Sequence, residues 1–432
     1  MVGGEEVLPL SLIGLLGFAT VVLVAVSLLH GYLWWRLVRG TTRPGRARRR
    51  LTWLTVLLAL LPAAAVLTRR DLSLTAQAPL AWVGFTWLGI AFYAFLALLA
   101  LEPVRWLLHR RTRSRAPARE PVPVREPVPV RESVPAGAPA AEPDPPSELP
   151  PDPGRRLFIA RSLAVTAGVV ALGTAGTGVH LANSAPVVRR VPVTLPRLDP
   201  ALDGLRIVTF SDGHLSATYG GRRFERLVET VNAQRPDVVA IVGDLVDGEV
   251  DELRGEAAPL ADLVSEQGVF FVTGNHEYFV DTEAWLRHLP TLGVQVLRNE
   301  RVPVRRGGAS VDLAGIDDRT AAGSGVPGHA ADLDAALDGR DDATPVVLLA
   351  HQPFMVGEAR AAGVDLQLSG HTHGGQLWPF DYAIRLDQPA VEGLSRHGGT
   401  QLYVTRGAGY WGPAVRVGAR PEVTVVELRT PG

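Results

Sequence analysis

The sequence predicts two architectures in series: an N-terminal all-α membrane region of three to four transmembrane helices, then a C-terminal α/β domain. Three observations carry this. Long uncharged apolar runs crowd the first 101 residues, and short apolar runs alternate with helix-spaced segments after Leu205. The polar clusters of the second half follow the ends of its apolar runs. A chain of 432 residues has room for two or three units at roughly 100–200 residues each.

The membrane elements come first. Val7 to Leu29, Leu51 to Thr68 and Leu80 to Leu101 are 23, 18 and 22 residues without a charge. A bilayer core needs roughly 20 apolar residues in a helix, so all three qualify as spans. A fourth run, Ser162 to about Leu181, is weaker and rich in Ala, Gly and Thr. With no charge inside the first three, an ion or substrate path through them is disfavoured, and they read as an anchor.

Charge sets the orientation. Residues 1–197 hold 23 Arg and 11 acids, a net of +12, whereas residues 198–432 hold 20 Arg and 33 acids, a net of −13. Arg36, Arg39, Arg43, Arg46, Arg48, Arg49 and Arg50 follow the first run, and Arg105, Arg110, Arg111, Arg113, Arg115 and Arg119 follow the third. The positive-inside rule places both segments in the cytoplasm. Four crossings then return the chain outside by about Val187, so the second half is expected to be extracytoplasmic, on a short tether before Ile207. Arg155-Arg156 ahead of the fourth run also has the look of a twin-arginine export signal.

The expected division is a membrane region over 1–104, a Pro/Arg-rich cytoplasmic linker over 105–156, a fourth helix or signal anchor over 157–187, and an α/β domain over 188–432. The linker repeats Glu-Pro-Val-Pro-Val-Arg at 120–125 and 126–131. Such runs favour extended polyproline II and bury no core.

In the second half, strands are expected at 207–210, 238–242, 269–272, 311–314, 346–350, 366–368, 402–405 and 423–428. Helices are expected at 222–233, 252–265 and 282–292. Phe224, Leu227, Val228 and Val231 fall on one face of the first helix. Alternating strands and helices argue for an α/β domain, and open α/β sheets build sites beyond strand C-terminal ends.

Composition narrows the chemistry. There is no cysteine and no lysine. Disulfides, thiolate metal sites, cysteine nucleophiles, Schiff-base lysines and phosphate-loop lysines are all excluded. Any metal rests on His, Asp, Glu or Asn. Five segments gather those residues: Asp212-Gly-His214, Gly243-Asp244, Gly274-Asn275-His276-Glu277, His351, and Gly370-His371-Thr-His373. Each alone is a weak signal. Together they hold five of the eleven histidines, each after an expected strand.

This set resembles the calcineurin-like metallophosphoesterase superfamily, whose signature runs D-x-H, G-D, G-N-H-[DE], a lone His and G-H-x-H. The resemblance covers roughly 205–428. The stretches Gly274-Asn-His-Glu-Tyr278 and Leu368-Ser-Gly-His-Thr-His-Gly-Gly-Gln376 look like its YkuE/YaeI-type membrane-associated branch. It implies a two-layered α/β sandwich holding two divalent metal ions (Mn, Fe or Zn). By resemblance, Asp212, His214 and His373 bind one ion, Asn275, His351 and His371 the other, and Asp244 bridges. The implied nucleophile is a metal-bridging hydroxide, with His276 protonating the leaving oxygen and Glu277 orienting a neighbour.

Arg319, Arg406 and Arg416 are candidate phosphate contacts, with surface charge as the default reading. Trp378, Phe380, Tyr410 and Trp411 are candidates for an apolar rim. The expected function is a membrane-anchored phosphoesterase acting on a phosphodiester or monoester. Its expected partners are the lipid bilayer and a phosphorylated lipid or cell-envelope substrate. The rivals are a nucleotide or nucleic-acid phosphodiesterase, a non-catalytic membrane sensor or scaffold, and a transporter. The acidic second half disfavours a nucleic-acid polyanion, whose binding rests on basic contacts to phosphates.

Overall fold

The computed structural model describes residues 10–113 and 153–431; the proline-rich repeats lie outside the described residues. Helix α1 (Leu10–Leu33) continues as a wider helical segment, Trp34–Arg39. It is followed by α2 (Arg46–Leu67), α3 (Leu74–Arg113) and α4 (Pro153–Ala182). Among the described residues, four stretches are long and apolar enough to cross a membrane: Ala19–Arg39, Arg46–Leu67, Leu74–Leu108 and Gly154–Ala182. Small residues let α3 and α4 approach closely, with Ala91 and Ala94 buried against Ala167, Ala171 and Ala175. Leu23, Leu28, Leu57, Leu60, Val165 and Val169 face outward, as lipid contact requires.

The helices outrun the uncharged runs. α3 takes in Glu102 and Arg105 and ends at Arg113, beyond the point where the linker is expected to begin. Glu102 is neutralised from α1, accepting from Arg36 at 2.7 Å and from the Tyr32 hydroxyl at 2.8 Å. A paired charge does not end a helix that packing and backbone hydrogen bonds sustain.

The second half contains twelve named strands. They are β1 (Val187–Thr194), β2 (Arg206–Phe210), β3 (Val238–Val242), β4 (Val269–Val272), β5 (Val294–Val296) and β6 (Glu300–Arg306). Then come β7 (Ala309–Gly315), β8 (Val346–Leu349), β9 (Leu366–Ser369), β10 (Gly393–His397), β11 (Thr400–Val404) and β12 (Glu422–Arg429). They form two six-stranded sheets, β1-β12-β2-β3-β4-β5 and β10-β11-β9-β8-β7-β6. One core fills the space between the sheets, including Ile207, Val242, Leu313, Leu349 and Leu368. Helices cover the outer faces: α5 (Arg222–Asn232), α6 (Val250–Ala257) and α7 (Thr282–His288) on the first sheet. α8 (Leu333–Leu337) and α9 (Val356–Ala361) pack on the second, and the short α10 (Asp381–Ile384) lies in a loop. Strands covered on both faces read as continuous apolar runs, and β3, Val-Val-Ala-Ile-Val, is buried at every position.

Three differences from the sequence reading have physical causes. The expected tether before Ile207 contains β1, paired parallel to β12 from Val187↔Glu422 to Thr194↔Arg429. Its arginines and Pro192 suit an edge strand. The helix expected at 252–265 stops at Ala257, and the one at 282–292 stops at His288; each tightens into a 3-10 turn around Pro259 or Pro290. Proline lacks the N–H that would continue an α-helix.

The sandwich packs directly on the helices. Val415 is buried in the bundle cluster, Val415 and Pro413 lie against Gly89, and Val415 and Val417 lie against Gly178. A Cβ at Gly178 would collide with Val415, so only glycine admits this approach. The Arg416 amide donates to the Gly178 carbonyl at 3.0 Å, and the Tyr93 hydroxyl donates to the Trp378 carbonyl at 3.1 Å.

Candidate metal centre

Five strand ends build the site. β2 leads into Asp212 and His214, β3 into Asp244, β4 into Asn275 and His276, β8 into His351, and β9 into His371 and His373. The first three belong to one sheet and the last two to the other, so the centre sits where both layers open at the same end. Asp212, His214, Asp244, His371 and His373 all have positive φ, between 47° and 72°. Left-handed backbone is uncommon for side chains of this kind and is retained where the surroundings over-determine it. Here the tight turns swing consecutive polar residues inward. This is how His371 and His373, two apart, face neighbouring points.

The donor atoms gather in three sets, each within 4.8 Å: Asp212, His214 and His373; Asp244, His351 and His371; and His214, Asp247 and His276, which shares His214 with the first. His214 Nε2 and His373 Nε2 face each other at 3.0 Å, and His373 Nε2 is 3.4 Å from Asp212 Oδ1. His371 Nδ1 is 3.0 Å from Asn275 Oδ1. Asp244 Oδ2 lies between the first two sets, 3.1 Å from His351 Nε2 and 3.9 Å from His214 Nε2. The structure thus brings the residues expected to ligate to one place, the strand ends of the two sheets.

The donor chemistry fits divalent cations. His351 directs Nδ1 to the Val242 carbonyl at 2.8 Å, leaving its buried Nε2 without a hydrogen bond. Fixing one ring nitrogen on a carbonyl and freeing the other is how proteins prepare a histidine ligand. Burial and the charge of His351 lower His371 to about 4, and burial, His214 and Arg416 hold His373 well below an ordinary imidazole. His371 and His373 are therefore neutral, the state that ligates, whereas His351, raised well above an ordinary imidazole by Asp244 against its burial, must release a proton when a cation binds. Burial also raises Asp212, while His351 and His276 outweigh burial and hold Asp244 well below the usual carboxylate range.

Asp247 was not singled out by sequence reasoning. Its Oδ1 sits 2.9 Å from His214 Nδ1 and 2.7 Å from His276 Nδ1. One carboxylate oxygen thus anchors two rings. The signal was its spacing three residues after Asp244, on the same loop. Burial opposes charge on His276, but Asp244 and Asp247 outweigh it and raise the imidazole to about 9. His276 Nε2 lies 4.0 Å from Asp244 Oδ2, at the edge of the cluster.

Glu277 clamps backbone. It accepts from the amides of Asp244 at 3.0 Å, Leu245 at 2.8 Å and Gly274 at 2.6 Å. It therefore locks the β3 and β4 loops together. Burial and the neighbouring Asp244 push it up to about 7 against those donors.

The three arginines separate. Arg416 is fully buried and donates to the carbonyls of Gly409 at 2.8 Å and Arg406 at 2.9 Å, with Nη2 3.2 Å from His373 Nδ1. It braces the loop and is closed to a phosphate. Arg406 is paired with both oxygens of Glu392. Arg319 is exposed, stacked 3.9 Å from the centroid of the Phe354 ring. Of the candidate rim, Tyr410 is core, whereas Trp378, Phe380 and Trp411 are exposed. The Trp411 ring meets His276 edge-on with centroids 5.5 Å apart. His329 is buried between Tyr278 and Glu283, and His397 bonds Ser395.

The Calcineurin-like phosphoesterase family matches residues 205–375. A Danio rerio protein named transmembrane protein with metallophosphoesterase domain is 41% identical over 260 residues, covering 58% of this chain and 59% of its own. A Bos taurus protein of the same name is 40% identical over 288 residues, 64% of each. The chain thus spans less than two thirds of the length of either. A Helicobacter pylori protein called an uncharacterized metallophosphoesterase is 36% identical over 278 residues, 64% of this chain and 73% of its own. With the ligand-type residues converging as described, this chain belongs to the calcineurin-like metallophosphoesterase family.

Proposed function

We propose that this chain is a membrane-held, dinuclear-metal phosphohydrolase acting on a phosphodiester, with a phosphomonoester as the second choice. The observation that carries the reading is the pair of adjoining ligand sets with Asp244 standing between them. Asp212, His214 and His373 would hold one divalent ion, Asn275, His351 and His371 the other, and Asp244 would join them. Mn, Fe and Zn all suit nitrogen and oxygen donors. Bound ions supply Lewis-acid polarisation of the phosphoryl oxygens and activation of water.

The chain's own residues do the rest. Asp247 fixes the His276 ring, so that Nε2 points into the cluster with a proton to give to the leaving oxygen. Glu277 keeps the Asp244 and Asn275 loops in register. The net charge of −13 over residues 198–432 favours a small or lipid-linked phosphoester over a nucleic acid. Positive-inside charge supports an extracytoplasmic domain, and its packing on α3 and α4 supports a phosphorylated lipid or envelope substrate.

The test uses the full chain in detergent, stripped with chelator and reloaded with Mn, Zn, Fe or Mg. Hydrolysis of bis-p-nitrophenyl phosphate is expected to exceed that of p-nitrophenyl phosphate and to require metal. No turnover with any of the four metals would overturn the hydrolase reading. Faster monoester turnover would reverse the substrate preference.

A further inference from the structure

The sandwich flanks the helical bundle. Tyr93, whose hydroxyl bonds the Trp378 carbonyl, stands about 28 Å along α3 from Leu74, at 1.5 Å rise per residue. Trp82 packs into the sandwich-side cluster, Gly89 meets Val415, and Leu377 joins the bundle cluster. The domain thus lies beside the first half of the apolar Leu74–Leu108 stretch. Whatever depth of bilayer surrounds that stretch also meets the loop that follows Leu377.

That loop is built for such a place. Trp378, Phe380, Tyr382 and Leu386 are 56%, 54%, 65% and 90% exposed, and Trp411 beside them is 50% exposed. Gln376 ties the two segments, donating to the Trp411 and Pro413 carbonyls at 3.0 Å each. Exposed large apolar side chains gathered on one loop in this way mark an interaction site. Trp and Tyr favour the membrane interface, where one end of the ring is apolar and the other wet. Arg385 and Asp387, both exposed, set a limit on depth: they keep their end of the segment at headgroup level, with Arg385 able to reach lipid phosphate.

We propose that residues 377–386, with Trp411, insert into the bilayer that holds α3 and α4, with Trp378 at the level of Tyr93 and the Tyr382–Leu386 end in the headgroup layer. The patch is continuous with the seam where the sandwich already packs on those helices. Trp411 lies against His276, so the inserted edge is the rim of the metal centre. The site then opens on the layer where lipid phosphates lie. This inference rests on the helices being in a bilayer and is read without turnover, so its failure and that of the hydrolase reading are distinguishable.

The chain has no cysteine, so single labels need no background removal. Leu386→Cys and Tyr382→Cys are made in the full chain, bimane-labelled and reconstituted in phosphatidylcholine–phosphatidylglycerol nanodiscs. Asp342→Cys, at a side chain 91% exposed on the opposite sheet end, is the aqueous control. The 382 and 386 labels are expected to show blue-shifted emission, quenching by shallow doxyl lipids, and protection from iodide. The control is expected to show the reverse. Iodide quenching at 382 and 386 equal to the control would overturn the proposal. So would protection from both quenchers that is lost when each disc carries one copy, because a second chain would then be the cover.

Discussion

Asp244 and His276 lie 4.0 Å apart, yet their substitution should fail in different ways. Asp244→Asn removes the one charge lying between both ligand sets. It is expected to abolish turnover and to lower metal content, read by elemental analysis of the purified chain. His276→Ala leaves both ligand sets intact. It is expected to keep its metal and lose roughly 10²- to 10⁴-fold in rate, the range for a lost acid–base group. Metal loss in His276→Ala would make it a ligand. The metal-free chain should also show a pH signature. His276 is raised from 6.5 to about 9, so its protonated form stabilises the fold. That contribution is complete below 6.5 and is lost as pH rises through about 9. Thermal melts of chelator-treated protein are expected to fall between pH 7 and 9.5, and a flat profile would contradict the assigned contacts. Most of this centre was legible at the residue scale because Asp, His and Asn appear in fixed short spacings. Asp247 was not, because a carboxylate that touches only other site residues has no metal-type motif of its own. Arg416 and Tyr410 were misleading for the converse reason: a polar residue near a site motif reads the same whether it faces substrate or carbonyls.

The elements that sequence reading found are those buried on both faces. β3, β4 and β8 are uninterrupted apolar runs, β2 is buried from Ile207 to Phe210, and α5 places Phe224, Leu227, Val228 and Val231 in one buried stripe. The elements it missed lie at sheet edges or are short. β1 reads Val-Val-Arg-Arg-Val-Pro-Val-Thr with mixed burial, and β5 has three residues. Pattern marks burial, and an edge strand has little of it. The stability consequence is specific to β1, whose Val191 and Val193 enter the core between the sheets. Removing it uncovers the length of β12. A chain starting at residue 198 is expected to aggregate or melt well below one starting at 186, compared by light scattering and thermal denaturation in the same detergent. Equal behaviour would mean that β1 is dispensable and that the region before β2 acts as a tether after all.

At the scale of the whole molecule, the sandwich meets the bundle at a definite place on α3 and α4, and orientation becomes a question about one rigid contact. The Arg36–Glu102 pair lies at the end of the bundle remote from Leu74, and Arg161, which donates to the Thr41 carbonyl at 3.0 Å, ties α4 to the same region. The arginine-rich segment following α1 and the arginine-rich end of α3 therefore lie together at that end. If it is cytoplasmic, as the positive-inside rule requires, the seam at Gly89 and Gly178 lies toward the other face and carries the domain with it. Protease added to right-side-out membrane vesicles is then expected to degrade the catalytic half and spare the 105–156 linker. Inverted vesicles should show the opposite. A protected catalytic half beside a cleaved linker in right-side-out vesicles would place the metal centre in the cytoplasm. It would also remove the case for an envelope substrate, while leaving the ligand assignments and the membrane-facing rim to their own tests.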